Sequence, residues 1–251
     1  MKPKHPELQH LPGLRQLWQE AFGDSDAFLD CFFAHGFAPE RSLCIPDGDA
    51  VAGALYWFPC RCGGKPMAYL YALAVKKSHR GRGLARALVE EAAAILKTQG
   101  YCGILLVPGG QELFAMYDRM GFSDSLTVDT FHATAATVPV KLREVSPEEY
   151  GALRRELLPE GGVVQEKENL RFLSSYARLY AGGGFLLAAA TEGDRLMGME
   201  LLGDRGAAPG ILAALGAAHG TFRTPGESHP FAQYRSLDGT PAPTYFGLAF
   251  D

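Results

Sequence analysis

Apolar residues at Leu11, Leu14, Leu17, Trp18, Ala21 and Phe22 recur at helical spacing, and Gly23 ends the run. A second helix follows through Phe28, Leu29, Phe32 and Phe33, with Asp24 or Asp26 as its cap. The period then shortens to that of strands. Arg41–Ile45, Ala50–Cys60 and Pro66–Val75 read as an antiparallel meander, turned at Pro46-Asp47-Gly48-Asp49 and at Gly63-Gly64-Lys65. Next, Leu84, Leu88, Ala92, Ile95 and Leu96 mark one face of a helix ending near Gly100. The apolar run Ile104–Val107 suits a strand buried on both faces. Glu112–Met120 is a short helix with Gly121 placed as a left-handed stop, and strand-like sequence runs from Phe122 to about Ala133. This order predicts a mixed α/β layer over residues 1–135.

Residues 136–251 restart the pattern. Val140–Val145 reads as a strand, Ser146-Pro147 as the start of a helix through Leu157, and Glu166–Tyr180 as a second helix. Phe185–Thr191 and Arg195–Leu202 form a hairpin across Glu192-Gly193-Asp194. A short helix at Ile211–Leu215 and late strands at Phe231–Leu237 and Thr244–Phe250 complete the half. Asp47-Gly48-Asp49-Ala50-Val51-Ala52-Gly53 matches Glu192-Gly193-Asp194-Arg195-Leu196-Met197-Gly198 in one register, which favours an internal duplication over two unrelated glycine turns.

The chain has 251 residues, 47% of them hydrophobic and 21% charged, enough apolar sequence for a folded core. Its formal net charge of -4 argues against a nucleic-acid partner held by bulk charge. The longest uncharged stretch, Gly206–Phe222, is broken by Pro209, Gly210, Gly216 and Gly220 and is too short for a membrane span, so no membrane partner is expected. Met1–His10 is polar and lacks an apolar signal core, which points to the cytoplasm. Five cysteines without a Cys-x-x-Cys pair or a nearby histidine cluster read as ordinary thiols, and no metal site is expected.

One segment stands out against this background. Lys76-Lys77-Ser78-His79-Arg80-Gly81-Arg82-Gly83-Leu84-Ala85-Arg86 joins a strand to a helix and carries cations but no acid. Cations are unfavourable at a helix start, where the macrodipole presents about +0.5 charge. With a bound anion, the amides, the dipole and the arginines all act in one direction. The segment lacks the third glycine and the later acidic residue of a dinucleotide fingerprint, and it lacks the Gly-Lys-Ser/Thr of a phosphate-binding P-loop.

The Arg-x-x-Gly-x-Ala pattern of Arg80, Gly83 and Ala85, the strand Leu70–Val75 before it, and Tyr117 followed by Gly121-Phe122 resemble the GNAT superfamily of acyl-CoA-dependent N-acetyltransferases. The likeness covers about Leu11–Ala133, and the Leu17-Trp18 and Phe22-Gly23-Asp24 details resemble the Eis-like subgroup, without its sterol-carrier-like domain. It implies tandem GNAT-like modules with mixed, mostly antiparallel sheets flanked by helices, the second a degenerate copy lacking the CoA loop. Acetyl-CoA would be the cosubstrate and a small-molecule or peptide amine the acceptor. Leu73, Ala74 and Val75 would meet the pantetheine arm, and Arg80, Gly81, Arg82, Gly83, Leu84, Ala85 and Arg86 would hold the pyrophosphate. Tyr117 would protonate the leaving thiolate; on spacing alone it also fits a core tyrosine.

The sequence departs from the family in one respect. The strand Tyr69-Leu70-Tyr71-Ala72-Leu73 has no glutamate to serve as a base. Candidates elsewhere are the terminal carboxylate at Asp251, His219 and His229, each with an ordinary structural or surface reading beside it. The missing glutamate favours a non-catalytic acyl-CoA-binding module, whereas the loop and Tyr117 favour an enzyme.

Overall fold

The computed structural model describes residues 1–250. They fall into two compact units. The first holds Met1–Asp124 with Gln233–Ala242, and the second holds Ser125–Ala232 with Pro243 onward.

The first unit opens with α1 (Leu11–Phe22), which stops at Gly23 in the left-handed conformation. The cap of α2 (Asp26–Cys31) is neither aspartate but Ser25, whose hydroxyl accepts the Phe28 N–H. Asp24 is committed elsewhere, accepting the indole N–H of Trp18 at 2.7 Å. The meander follows as β1 (Ser42–Asp47), β2 (Ala50–Cys62) and β3 (Lys65–Val75), all antiparallel. The helix α3 (Leu84–Thr98) then crosses to β4 (Gly103–Leu106), which runs parallel to β3. Leu88, Val89, Ala92 and Leu96 of α3 pack on Leu55, Trp57, Ala68, Leu70 and Ile104 of the sheet, all buried. On the opposite face Trp18 meets the rings of Phe32, Tyr56 and Tyr71. The short helix α4 (Gln111–Asp118) closes the run.

The division between the units differs from the 135/136 boundary read from the sequence. The strand β5 (Asp124–Thr134) pairs antiparallel with β10 (His219–Pro225) in the second unit. The strand β11 (His229–Ser236) comes from the late part of the chain, and its residues Gln233–Ser236 pair antiparallel with β4. A parallel strand with an open second edge needs a partner for its remaining amides and carbonyls. Gly103 lets that partner approach, because a Cβ there would lie 2.2 Å from the Tyr234 ring.

The second unit contains β6 (Leu142–Glu144), α5 (Pro147–Leu157), α6 (Glu168–Ser174), β7 (Arg178–Gly182), β8 (Phe185–Glu192), β9 (Arg195–Gly203) and α7 (Ala208–Leu215) before β10. Ser146 caps α5 by accepting the Glu149 N–H. The helix expected over Glu166–Tyr180 ends at Ser174, since Leu179 and Ala181 already alternate as buried positions of β7. Thr244–Phe250 forms no strand. Apart from a single bridge between Tyr245 and Gly162 it is a non-ladder segment, apolar because Tyr245, Phe246, Leu248, Ala249 and Phe250 are buried. The Asp251 carboxylate proposed as a base lies outside the described residues.

The two halves repeat an order: two helices, a three-stranded meander, a helix, and a strand parallel to the meander's last. By that order β1–β2 corresponds to β7–β8, one hairpin earlier than the sequence match of Asp47-Gly48-Asp49 with Glu192-Gly193-Asp194. Those segments agree because each closes a two-residue turn, Asp47 against Ala50 and Glu192 against Arg195. Each has Gly at positive φ, 60° and 61°, in the first central position that such a turn requires.

Candidate active site

The site begins with an irregularity in β3. Opposite Ala54–Tyr56 the register slips, and Ala72 takes φ +49°, unusual for a residue with a Cβ. The parallel ladder between β3 and β4 covers only Met67–Tyr69 against Gly103–Leu105. Leu70–Val75 therefore continue past the end of β4 with one edge paired to β2 and the other open. Tyr71, Ala72 and Leu73 are half-buried, between the buried residues Leu70 and Ala74. An open strand edge is a template for an extended, amide-bearing ligand.

At the end of that edge lies the start of α3. Gly81 and Gly83 have φ of +76° and +75°, and open space surrounds both, so their conformation and not crowding demands glycine. Gly83 is the N-cap and no side chain caps the helix. The first amides of α3 thus have no intrahelical acceptor. Around them the arginines are tied to main-chain carbonyls. Arg80 Nε donates to Val75 O at 3.3 Å, Arg82 Nη2 to Ser78 O at 3.2 Å, and Arg86 Nη2 to Arg119 O at 2.5 Å. Among the described residues none of the three forms a salt bridge, whereas His79 lies 3.2 Å from Asp47. These contacts orient the guanidinium groups without a salt-bridge partner, with the Glu90 carboxylate acting on Arg86 only through its field, an arrangement that an anion would complete.

A cleft of about 820 Å³ opens on this loop. Leu73, Ala74, Val75, Arg80, Gly81, Gly83, Leu84, Ala85, Arg86 and Tyr117 line it, so the structure brings together all but one of the residues that the resemblance assigns to CoA binding and thiolate protonation. The exception is Arg82, which lies outside the lining. The sequence reading missed Ala21 and Phe22 at the end of α1, His79 beside the loop, and Leu113, Met116, Arg119 and Met120 on and after α4. Phe22 carried a legible signal, since it ends a helical stripe against Gly23 and remains 47% exposed.

Tyr117 is 7% exposed, packs edge-on against Phe122 with centroids 5.9 Å apart, and reaches the cleft wall. Burial pushes its hydroxyl up to about 12, so it carries its proton throughout the neutral range. Tyr117 belongs to the buried core cluster and is also one of the residues that line the cleft. His219 and His229 are exposed ends of β10 and β11 and line no part of the cleft. Among the described residues no group of His, Cys, Asp and Glu could hold a metal ion. No helix of the described residues is long and apolar enough to cross a membrane.

The counterpart of α3 in the second unit is α7. Its approach, Asp204-Arg205-Gly206-Ala207-Ala208-Pro209, offers one cation, and Arg205 is paired with Asp129 at 3.0 Å. Asp204 already accepts the Gly206 N–H, and Pro209 removes a further donor.

Residues 11–122 match the model of the acetyltransferase (GNAT) family. Over 79 residues, 30% of this chain, the sequence is 34% identical to N-acetyltransferase family 8 member 2 of Rattus norvegicus, and the match spans 35% of that relative's length. In fold the chain is similar to Eis1 from Mycobacterium abscessus, with a TM-score of 0.67 and 13% identity, over 95% of this chain and 74% of that one. It is also similar to a tandem GNAT protein from the clavulanic acid biosynthesis pathway, with a TM-score of 0.59 and 16% identity, over 96% of this chain and 99% of that one. At these identities the likeness is one of fold, and it extends over both halves.

Proposed function

We propose, from the premise that residues 11–122 form an acetyltransferase domain of the GNAT family, that this protein moves an acetyl group from acetyl-CoA to a primary amine. The observation that carries the reading is the uncapped start of α3, flanked by arginines tied to main-chain carbonyls and forming no salt bridge, opening on the same cleft as Tyr117. Arg80, Arg86 and the first amides of α3 hold the pyrophosphate. The open edge of β3 at Leu73 and Val75 receives the pantetheine arm. The Val75 carbonyl already accepts from Arg80, which couples the two ends of the ligand.

The amine nitrogen attacks the thioester carbonyl, and main-chain amides of the open strand edge stabilise the oxyanion. As the C–S bond breaks, sulfur takes the proton of the Tyr117 hydroxyl, which burial keeps available. The amine nitrogen gives up a proton to water as it becomes the amide, and the phenolate of Tyr117 regains one from water, so the net change is one proton from amine to thiol. The second unit lacks the anion site and binds no CoA of its own. The cytoplasm is the location we favour, from the sequence reading of the cysteines as ordinary thiols without a Cys-x-x-Cys pair.

A second reading, acyl-CoA binding without transfer, is favoured by one observation: no carboxylate lines the cleft among the described residues. Acetyl-CoA consumption over a panel of primary amines separates the two. Transfer that Tyr117→Phe slows about 10²–10⁴-fold supports the enzyme with Tyr117 as its acid. Tight CoA binding without release of free thiol on any amine supports the binding module.

A further inference from the structure

Gln233 lies on β11 opposite Leu106, the last residue of β4, and is 1% exposed. Its amide nitrogen donates to Asp118 Oδ1 at 2.6 Å and to Phe122 O at 2.9 Å. Those two acceptors bracket the turn Arg119–Gly121, in which Gly121 takes φ +88°. Tyr117 stands two residues before the turn, next to last in α4.

The turn is held at two further points. Arg235 Nη1 donates to Met120 O at 3.0 Å, and Arg86 donates to Arg119 O. Arg235 also makes a bidentate pair with Glu90 on α3, at 2.9 Å on each oxygen. The hydrogen bond from Arg235 holds the Glu90 carboxyl below its usual range. Glu90 sits one turn beyond Arg86 on the same helix. An eight-residue helix has little stability of its own and frays at its end, so the orientation of Tyr117 depends on what fixes the residues after it.

We propose that Gln233 is a positioning residue for Tyr117: a side chain from the late part of the chain clamps the turn after α4 and so aims the hydroxyl at the cleft. The proposal rests on Tyr117 acting as the acid. Glutamine suits the task because one amide nitrogen carries two protons, one for each acceptor. The Gln233 carbonyl oxygen is buried without a hydrogen-bond partner, a cost that core packing alone does not call for.

The test measures steady-state acetyl transfer by the full chain carrying Gln233→Leu or Asp118→Ala, each alone and combined with Tyr117→Phe. Asp118 is exposed, so its replacement removes one arm of the clamp without burying a new group and decides the matter if Gln233→Leu fails to fold. Gln233→Leu is expected to lower kcat by about 10- to 100-fold with KM for acetyl-CoA within about threefold, the cost of a misplaced group. Asp118→Ala shifts kcat in the same direction, and neither lowers the residual rate of Tyr117→Phe further. Full kcat in both clamp variants beside a slow Tyr117→Phe overturns the proposal alone. So does an equal fold-loss from the clamp variants in the Tyr117→Phe background. A fully active Tyr117→Phe overturns the acid assignment and the proposal with it.

Discussion

Arg86 Nη2 lies 2.5 Å from the carbonyl oxygen of Arg119. One hydrogen bond thus joins the first turn of α3 to the turn that follows α4. On the proposed function, the charge that would receive a pyrophosphate and the hydroxyl that would meet the thiolate are set by the same pair of elements. Main-chain tethering holds Arg80 and Arg86 without a salt bridge to an acid, and on the proposed function a direct carboxylate partner would neutralise the charge meant for the pyrophosphate.

Ionisation of Tyr117 predicts a particular alkaline behaviour. Its hydroxyl is pushed up to about 12 by burial, against an ordinary value of 10.0. Below pH 10 both folded and unfolded chains keep the proton and stability is unaffected. Between about 10 and 12 only the unfolded chain loses it, so stability falls by up to about 1.4 kcal/mol per pH unit from this residue. Urea unfolding at pH 9, 10 and 11 should show a smaller fall in Tyr117→Phe than in the parent chain. An identical fall in both would mean that Tyr117 ionises as freely when folded as when unfolded.

Ala72 at φ +49° predicts opposite outcomes for two small substitutions. Glycine relieves a strain of about 1 kcal/mol and loosens the unfolded chain by a similar amount, so Ala72→Gly should leave the thermal midpoint nearly unchanged. A β-branched side chain is far less tolerant of this conformation, so Ala72→Val should lower the midpoint by several degrees and weaken CoA binding as the bulge straightens. Scanning calorimetry with a CoA titration checks both. Parental stability and affinity in the Ala72→Val chain would mean that the bulge does not shape the cleft.

Much of this site is legible in the sequence because its signals are local. A run of cations with two glycines at a strand-to-helix junction is a local signal for an anion site, and Arg80, Gly81, Gly83, Leu84, Ala85 and Arg86 of that run line the cleft, with Arg82 outside it. What the sequence hides is either nonlocal or chemically silent. Nothing in Phe231–Leu237 indicates that Gln233–Ser236 will pair with β4, since strand pairing over long separation leaves no periodic trace. Alanine gives no warning of a positive φ, so the bulge at Ala72 is invisible in the sequence. The glycine turns at Gly48 and Gly193 mislead in the other direction, because turn chemistry makes unrelated hairpins alike. Glu166–Tyr180 reads as one helix because the short strand β7 continues its apolar spacing.

The second unit contains its own buried charge pair, which predicts where it is fragile. Arg154 donates to Glu200 at 2.6 and 2.9 Å, Tyr245 donates to the same carboxylate at 3.0 Å, and Arg154 also donates to Val163 O. Both charged residues are almost fully buried. Glu200→Gln leaves the Arg154 charge uncompensated and should cost about 3–5 kcal/mol, whereas Tyr245→Phe should cost about 1 kcal/mol. Denaturant titration of the two variants tests the ranking, and a Glu200→Gln chain as stable as the parent would mean that solvent reaches the pair.

The most direct test of the account is a calorimetric titration of the full chain with CoA, repeated across salt concentrations and with Arg80→Ala combined with Arg86→Ala. The account predicts one CoA per chain, affinity that weakens as salt rises, and a loss of at least about tenfold in the double variant, consistent with removal of two charge-assisted contacts. Two CoA molecules per chain, or an affinity indifferent to both salt and the arginines, would contradict it.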